Sequence, residues 1–274
     1  MTRDSQTKHL SDNMRTVWIT GASSGIGEAC AYRYAAQGCK LVLTSSSREK
    51  LEAVADRCRR EGASGVRVLP YDLSEPAGIK LLSREAWDTF GGIDILFCNA
   101  GISQRTRVED TPLPMVRKIM EVNFFAPVAL AEAILPLMTD NGGGRIAVTT
   151  SIAGRFGFPL RCAYSASKHA LYGFFETLRA ENHDKGISVT FVCPGRVRTD
   201  ISINALDKGG VRHGKMDPGQ DKGLSPEKAA RIIVPAIEKR KNEVLVGSSE
   251  LMMVYVKRFF PDICARLVKK IKAV

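Results

Sequence analysis

Seven apolar, strand-like runs alternate with helical patterns along this chain, and that alternation limits the fold more than any other feature. TVWIT (16–20) is followed by a glycine-rich turn and a helix pattern reaching Gln37, KLVLT (40–44) by a helix from Arg48 to Glu61, and VRVLPYDL (66–73) by a helix around 76–90. IDILFCNAG (93–101), a long helix near 112–138, RIAVTTS (145–151), a helix through Tyr164, SVTFVCPG (188–195) and NEVLVGS (242–248) complete the series. Such alternation predicts an α/β fold with one doubly wound parallel sheet of about seven strands and helices on both faces. Ligands of such sheets bind past the carboxyl ends of the strands.

A length of 274 residues with 44% hydrophobic residues suits one large domain. We place it at 14–250, after a disordered extension over 1–13 that lacks the apolar core of a signal peptide, with Met14 as a second candidate start. Residues 196–226, rich in glycine and charge, read as a lid over a substrate walled by Phe156, Phe158, Leu160, Ile203, Leu206 and Met216. The apolar stretch Phe124 to Met138 is broken by Pro127, Glu132 and Pro136, too short and interrupted to span a bilayer. Seven cysteines without a Cys-x-x-Cys and four histidines without ligand spacing exclude a metal site or disulfide framework and fit a reducing, cytoplasmic compartment.

The net charge of +11 calls for an anionic partner, yet no helix-turn-helix, zinc-finger or aromatic RNA-binding pattern accompanies it, so nucleic acid is excluded. About half the excess lies in 251–274, which reads as a basic amphipathic helix. Ile263, Cys264, Leu267, Val268 and Ile271 share one face, with Arg266, Lys269, Lys270 and Lys272 around it. Such a helix either docks on its own subunit or a symmetry mate, or lies on an anionic membrane as a peripheral contact.

The first turn reads TGASSGIG, Thr20 to Gly27, between a strand and a helix. Gly21, Gly25 and Gly27 let backbone N–H groups and the helix N-terminus approach a pyrophosphate, which makes the fold Rossmann-like. After the second strand an NAD site places an acid against the ribose 2′-OH. Here the chain has TSSSREK, in which Ser45 and Ser46 stand where that acid would be and Arg48 and Lys50 follow, a pattern favouring the 2′-phosphate of NADP(H) over NAD(H). Arg48 is equally read as a solvated residue of a serine-capped helix. Asp72 either holds the adenine or caps the next helix. Downstream, Ser151 precedes Tyr164 and Lys168, which fall four residues apart on one helical face.

Together these residues resemble the short-chain dehydrogenase/reductase family. The likeness runs from Met14 to about Gly247 and is carried by Thr20 to Gly27, Asp72, Asn99-Ala100-Gly101, Asn123, Ser151, Tyr164-x-x-x-Lys168 and Pro194-Gly195 with Thr199. CPGRVRTDISINAL and GKMDPGQDKGLSPE are similar to the dehydrogenase/reductase member 7 group, which implies a lipophilic carbonyl substrate and membrane association. The resemblance implies reversible reduction of a ketone or aldehyde to an alcohol by a homodimer or homotetramer. In that assignment Tyr164 is the acid/base, Lys168 lowers its pKa and binds the nicotinamide ribose, Ser151 holds the substrate oxygen, and Asn123 positions a water beside Lys168. Moving a phenol from ~10 to ~7 takes about 4 kcal/mol, which one lysine charge at ~4 Å in an effective dielectric of ~20 supplies. Gly21, Ser23, Ser24, Gly25, Ile26, Gly27, Ser45, Ser46, Arg48, Asp72, Leu73, Asn99, Ala100, Gly101, Pro194, Gly195, Val197 and Thr199 are the expected cofactor residues, with Tyr164 and Lys168. Cys98 departs from the family's usual asparagine, and Ser46 from its usual NADP-site arginine. The rival reading is a catalytically silent protein that senses NADP through the same fold; presence of both Tyr164 and Lys168 argues against it.

Overall fold

The apolar runs pair into one parallel sheet of seven strands, β1 (Thr16–Thr20), β2 (Lys40–Thr44), β3 (Gly65–Val68), β4 (Ile95–Cys98), β5 (Gly144–Thr149), β6 (Ile187–Pro194) and β7 (Glu243–Val246), in the order β3-β2-β1-β4-β5-β6-β7. The computed structural model describes residues 15–271, so the extension read over 1–13 and the tail residue Lys272 lie outside the described residues. Each strand of the middle is buried on both faces, as parallel sheets require. Along β1, Val17 and Ile19 point into one hydrophobic cluster and Trp18 into the other. Helices α1 (Gly25–Ala35), α2 (Arg48–Arg60) and α8 (Pro226–Glu238) cover the first face; α3 (Ile79–Phe90), α5 (Ala126–Asp140) and α6 (Cys162–Glu181) cover the second. The strand order turns back between β1 and β4, and the carboxyl ends there open the crevice.

Three local readings change. β3 ends at Val68, so Asp72 belongs to the loop beyond the strand, where its Oδ1 accepts from the Ser74 N–H and hydroxyl at 2.9 Å. The broken apolar stretch is part of a continuous helical run, because α4 (Leu113–Met120) passes through a π turn (Glu121–Phe125) into α5, and Pro127 falls at the start of α5. At 28 residues it is, among the described residues, the one helix long and apolar enough to cross a membrane. Its inner face is core, however, with Ala126, Leu130, Ile134 and Met138 fully buried.

The tail forms two helices where one was expected, α9 (Met252–Phe259) and α10 (Pro261–Val268), parted at Phe260. Pro261 disfavours helical backbone at the preceding residue, which here sits at φ −136°, ψ 65°. Cys264 is buried against Ile152, Phe156 and Cys193, with Val268 and Ile271 packed beside it. Ile263 and Leu267, read on that same face, are exposed, as are Met252, Tyr255, Phe259 and Phe260. The lid segment contains α7 (Pro218–Asp221) and is pinned at several points: Leu206 exchanges backbone hydrogen bonds of 2.8 Å with Ser103 and Arg105, and Arg198 donates to Leu224 at 2.8 Å.

Candidate active site

The crevice is a cleft of about 830 Å³ with two differently built halves. In the first, the turn after β1 is so tight that only glycine fits. A Cβ on Gly27 would lie 2.2 Å from the Gly21 carbonyl oxygen, one on Gly25 2.8 Å from Thr199, and Gly21 has φ +63° beside Ala100. Asn99 fixes the turn, its Nδ2 donating to the carbonyls of Thr20 and Gly21 at 3.2 Å while its Oδ1 accepts from Thr149 at 3.1 Å. Gly21, Ser23, Ser24, Gly25, Ile26, Ser45, Ser46, Asp72, Leu73, Asn99, Ala100, Gly101, Pro194, Gly195, Val197 and Thr199 all line the cleft. Gly27 packs behind the turn. Arg48 does not line the cleft: its side chain is 69% exposed and turned to Glu52 at 3.7 Å, because Arg48 opens α2 beyond the capping Ser47. Lys50 is the cation of that stretch that does line it.

A dinucleotide fits this half. The glycine turn presents backbone without side chains to a pyrophosphate, and Ser45, whose residue lines the cleft, has a buried hydroxyl without a protein partner.

The second half holds Ser151 and Tyr164. Ser151 lies two residues beyond the end of β5 and caps the 3₁₀ turn Ile152–Gly154, accepting from the Ala153 N–H at 3.1 Å. Tyr164, in the first turn of α6, shares the cleft wall with it. Burial pushes the phenol above its ordinary value; the Ser151 hydroxyl, then Arg161 and Arg105, pull against that. Lys168 lies one turn on and is almost fully buried. Its ammonium donates to the Thr149 carbonyl at 2.7 Å and sits 5.8 Å from the centre of the Tyr164 ring. Burial lowers its pKa to about 8, with Cys98 acting weakly in the other direction.

Asn123 lies one layer behind the wall, fully buried in the π turn. It donates to the Ile102 carbonyl at 2.9 Å and Ser167 at 3.0 Å and accepts from the Ile102 N–H at 2.8 Å. Its side-chain oxygen and the Lys168 ammonium both face Gly101, each within 3.4 Å of the position a Cβ would take there.

Sequence reasoning missed a second set. The Gln104 side chain, fully buried, accepts from the N–H groups of Ala163 and Tyr164 at 2.9 and 3.2 Å, capping α6 from the loop after β4. Arg105 grips Asp217 with three contacts of 2.6–3.2 Å, and Arg161 reaches the same carboxylate at 2.8 Å. Arg161 stands one turn before Tyr164, a spacing that could have marked it. Of the apolar walls expected, Phe158 and Leu206 line the cleft, Phe156 is buried in a neighbouring hydrophobic cluster, and Leu160, Ile203 and Met216 lie outside the lining, where Arg105, Arg161 and Asp217 do line it.

Residues 15–209 match the short chain dehydrogenase family. The chain belongs to that family. It is 39% identical over 258 residues, 92% of its own length and 79% of the relative's, to dehydrogenase/reductase SDR family member 7B of Rattus norvegicus. It is 38% identical over 247 residues, 89% and 76% of the two chains, to a member 7-like protein of Drosophila melanogaster. Among solved structures it is similar to a family member from Burkholderia phymatum in complex with NAD, with TM-score 0.81, 25% identity and 92% and 95% of the chains covered. A dehydrogenase from Sphingobium yanoikuyae in complex with NADPH matches with TM-score 0.75, 26% identity and 95% and 97% covered. As a short-chain dehydrogenase/reductase the chain is a nicotinamide-dependent oxidoreductase of alcohols and carbonyls. The family departure at Cys98 is absorbed locally: the thiol is buried in the core and pushed up to about 12, while Asn99 keeps the contacts that hold the turn.

Proposed function

We propose that the protein reduces a ketone or aldehyde, or oxidises the corresponding alcohol, with NADP(H) in preference to NAD(H) and with Tyr164 as the acid/base. The observation that carries this reading is the meeting of Tyr164 and Ser151 in a cleft whose other half fits a dinucleotide. The bound nicotinamide supplies or accepts the hydride. Ser151 and Tyr164 hold the carbonyl oxygen, and Tyr164, kept protonated by its buried setting, gives that oxygen its proton in the reductive direction. Lys168 contributes by binding and orienting: its ammonium, held at the Thr149 carbonyl at 2.7 Å, stands one turn from Tyr164. Preference for NADP is supported by Ser45 and Ser46 in place of an acid and by Lys50 on the cleft wall. Arg48 adds to the local positive potential from outside. NADPH should bind about tenfold or more tighter than NADH by calorimetry, with Lys50→Glu erasing more of the gap than Arg48→Glu; equal affinities in the parent protein would refute the preference.

A lipophilic substrate is supported by Ile102, Val122, Phe158 and Leu206 on the walls. Peripheral contact with an anionic membrane is supported by the tail, where exposed Tyr255, Phe259, Phe260 and Ile263 stand among Lys257, Arg258, Arg266, Lys269 and Lys270. Co-sedimentation with phosphatidylserine vesicles at low salt, but not with neutral ones, is the expected result; a protein that stays in the supernatant with both ends that reading. Seven free thiols are in keeping with a reducing, cytoplasmic compartment. Exposed Leu113 and Phe125 on the outer side of the long helical run support self-association into a dimer or tetramer, which sedimentation velocity tests.

A further inference from the structure

Strands β6 and β7 part at their carboxyl ends, and a carboxylate fills the fork. The last rung between them runs from the Gly195 N–H to the Val246 carbonyl at 2.8 Å. Beyond it the β6 chain lines the cleft and the β7 chain leads on to α9. Glu250, in the turn Ser249–Leu251 before α9, sends one carboxylate oxygen back into the gap. That oxygen accepts from the Arg196 N–H at 2.7 Å on one branch and from the Ser248 N–H at 3.2 Å on the other. Both branches carry glycine where it sits: a Cβ on Gly195 or on Gly247 would collide with the same oxygen. Glu250 itself does not line the cleft, whereas Pro194, Gly195, Arg196, Val197 and Thr199 do. The branch it holds runs between Ser151 and the glycine turn. The Pro194 carbonyl accepts from the Ser151 hydroxyl at 3.4 Å, and a Cβ on Gly25 would lie 2.8 Å from Thr199. Ser45 and Ser46 follow β2, four strands along the sheet from β6. The lid segment holds the middle of the same branch, the Leu224 N–H donating to the Arg196 carbonyl at 2.9 Å and the Arg198 N–H to the Leu224 carbonyl at 2.8 Å.

We infer that Glu250 is a positioning residue for the nicotinamide half of the cofactor. Its carboxylate fixes the root of the 194–199 segment, so the backbone that meets Ser151 and the glycine turn is ordered before the cofactor arrives, and binding does not have to order it. A charged acceptor makes a stronger hydrogen bond than a neutral one, and here a single oxygen ties two branches of the chain. Glu250 lies beyond residues 15–209, the span that matches the family. The inference rests on the nicotinamide-dependent activity, and neither on the choice between NADP and NAD nor on the role of Tyr164.

The test is calorimetric binding, which needs no turnover. Wild-type, Glu250→Ala and Glu250→Gln proteins are titrated with NADP and NAD, and with adenosine 2′,5′-bisphosphate and AMP, fragments that lack the nicotinamide half. Glu250→Ala should weaken the preferred dinucleotide by about tenfold and its adenosine fragment by less than about twofold. Glu250→Gln keeps an oxygen acceptor and should recover most of the loss. Gly247→Ala reaches the same end by another route. Gly247 is not among the glycines with left-handed φ, so its backbone accepts alanine, and the new methyl displaces the carboxylate without removing it. Dinucleotide affinity within twofold of wild type in Glu250→Ala overturns the inference; where that variant does not fold, the same result in Gly247→Ala does. An equal fall for dinucleotide and fragment makes Glu250 a general structural support and overturns its assignment to the nicotinamide half. Wild-type protein that binds neither dinucleotide refutes the cofactor itself, and the inference with it.

Discussion

The two halves of the cleft are made of different material. The cofactor half is backbone: a turn closed by glycines, stitched by Asn99, in which any Cβ at Gly27 would strike a carbonyl 2.2 Å away. The substrate half is side chain: Gln104 capping α6, and Arg105, Arg161 and Asp217 locked together from three distant segments, the first and last separated by 112 positions. A backbone site has one solution, which excludes side chains and is shared wherever the same ligand group binds. A side-chain site is rebuilt for each substrate.

This contrast orders the expected effects of mutation. On the proposed role of the phenol in proton transfer, outside the glycine cradle, Tyr164→Phe should lower turnover by at least about a hundredfold in steady-state assays while NADP affinity by calorimetry changes little. Retention of a tenth of the activity would place the acid elsewhere. Gly27→Ala forces a methyl into backbone, so it should cost about 1–3 kcal/mol of stability in urea unfolding and abolish measurable cofactor binding; normal binding would mean the turn is softer than its contacts indicate. On the other half, Gln104→Leu leaves two N–H groups of the catalytic helix unsatisfied. We expect stability to fall by about 1–3 kcal/mol and kcat to fall with it, with NADP affinity little altered. Loss of NADP affinity in that variant would show that the halves are not independent.

The smallest effect runs the opposite way. Lys168 has a folded value of about 8 against an ordinary 10.5. Below pH 8 both folded and unfolded chains carry the proton, and the folded one bears the whole cost of a buried charge; between the two values it has shed the proton and the cost fades. Lys168→Met should therefore raise the melting temperature of the cofactor-free protein at pH 7, by about 2–4 °C for each kcal/mol relieved, partly offset by the orphaned Thr149 carbonyl. The gain should shrink as pH rises through 8 towards 10.5, while activity is lost throughout. A lower melting temperature at pH 7 would mean that the Thr149 hydrogen bond outweighs desolvation.

The same division explains what was legible in the sequence. Strands β1 and β2 have the bounds their apolar runs announce, since a buried parallel strand is a continuous hydrophobic segment and little else. The glycine turn and the Tyr164–Lys168 spacing are local patterns and could be read locally. Arg48 was misleading because charge in a sequence carries no direction: the side chain turned outward to Glu52 and left Lys50 on the wall. Asp217 and Arg105 became partners only through the path of the lid, which no period or spacing encodes. The break at Phe260 was written in Pro261, yet the apolar spacing across 263–271 suggested a longer helix than the chain makes.

One packing contact joins the catalytic loop to the far end of the chain. Ile152, the residue after Ser151, lies in the same cluster as Cys264, Val268 and Ile271, so the last helix acts as a strut beneath the serine. Displacement of the tail would act on that strut. Amide hydrogen exchange at 152–154 should therefore speed up when the chain is cut after Glu250, in a protein whose glycine turn, after β1 and two strands away in the sheet, exchanges as slowly as before.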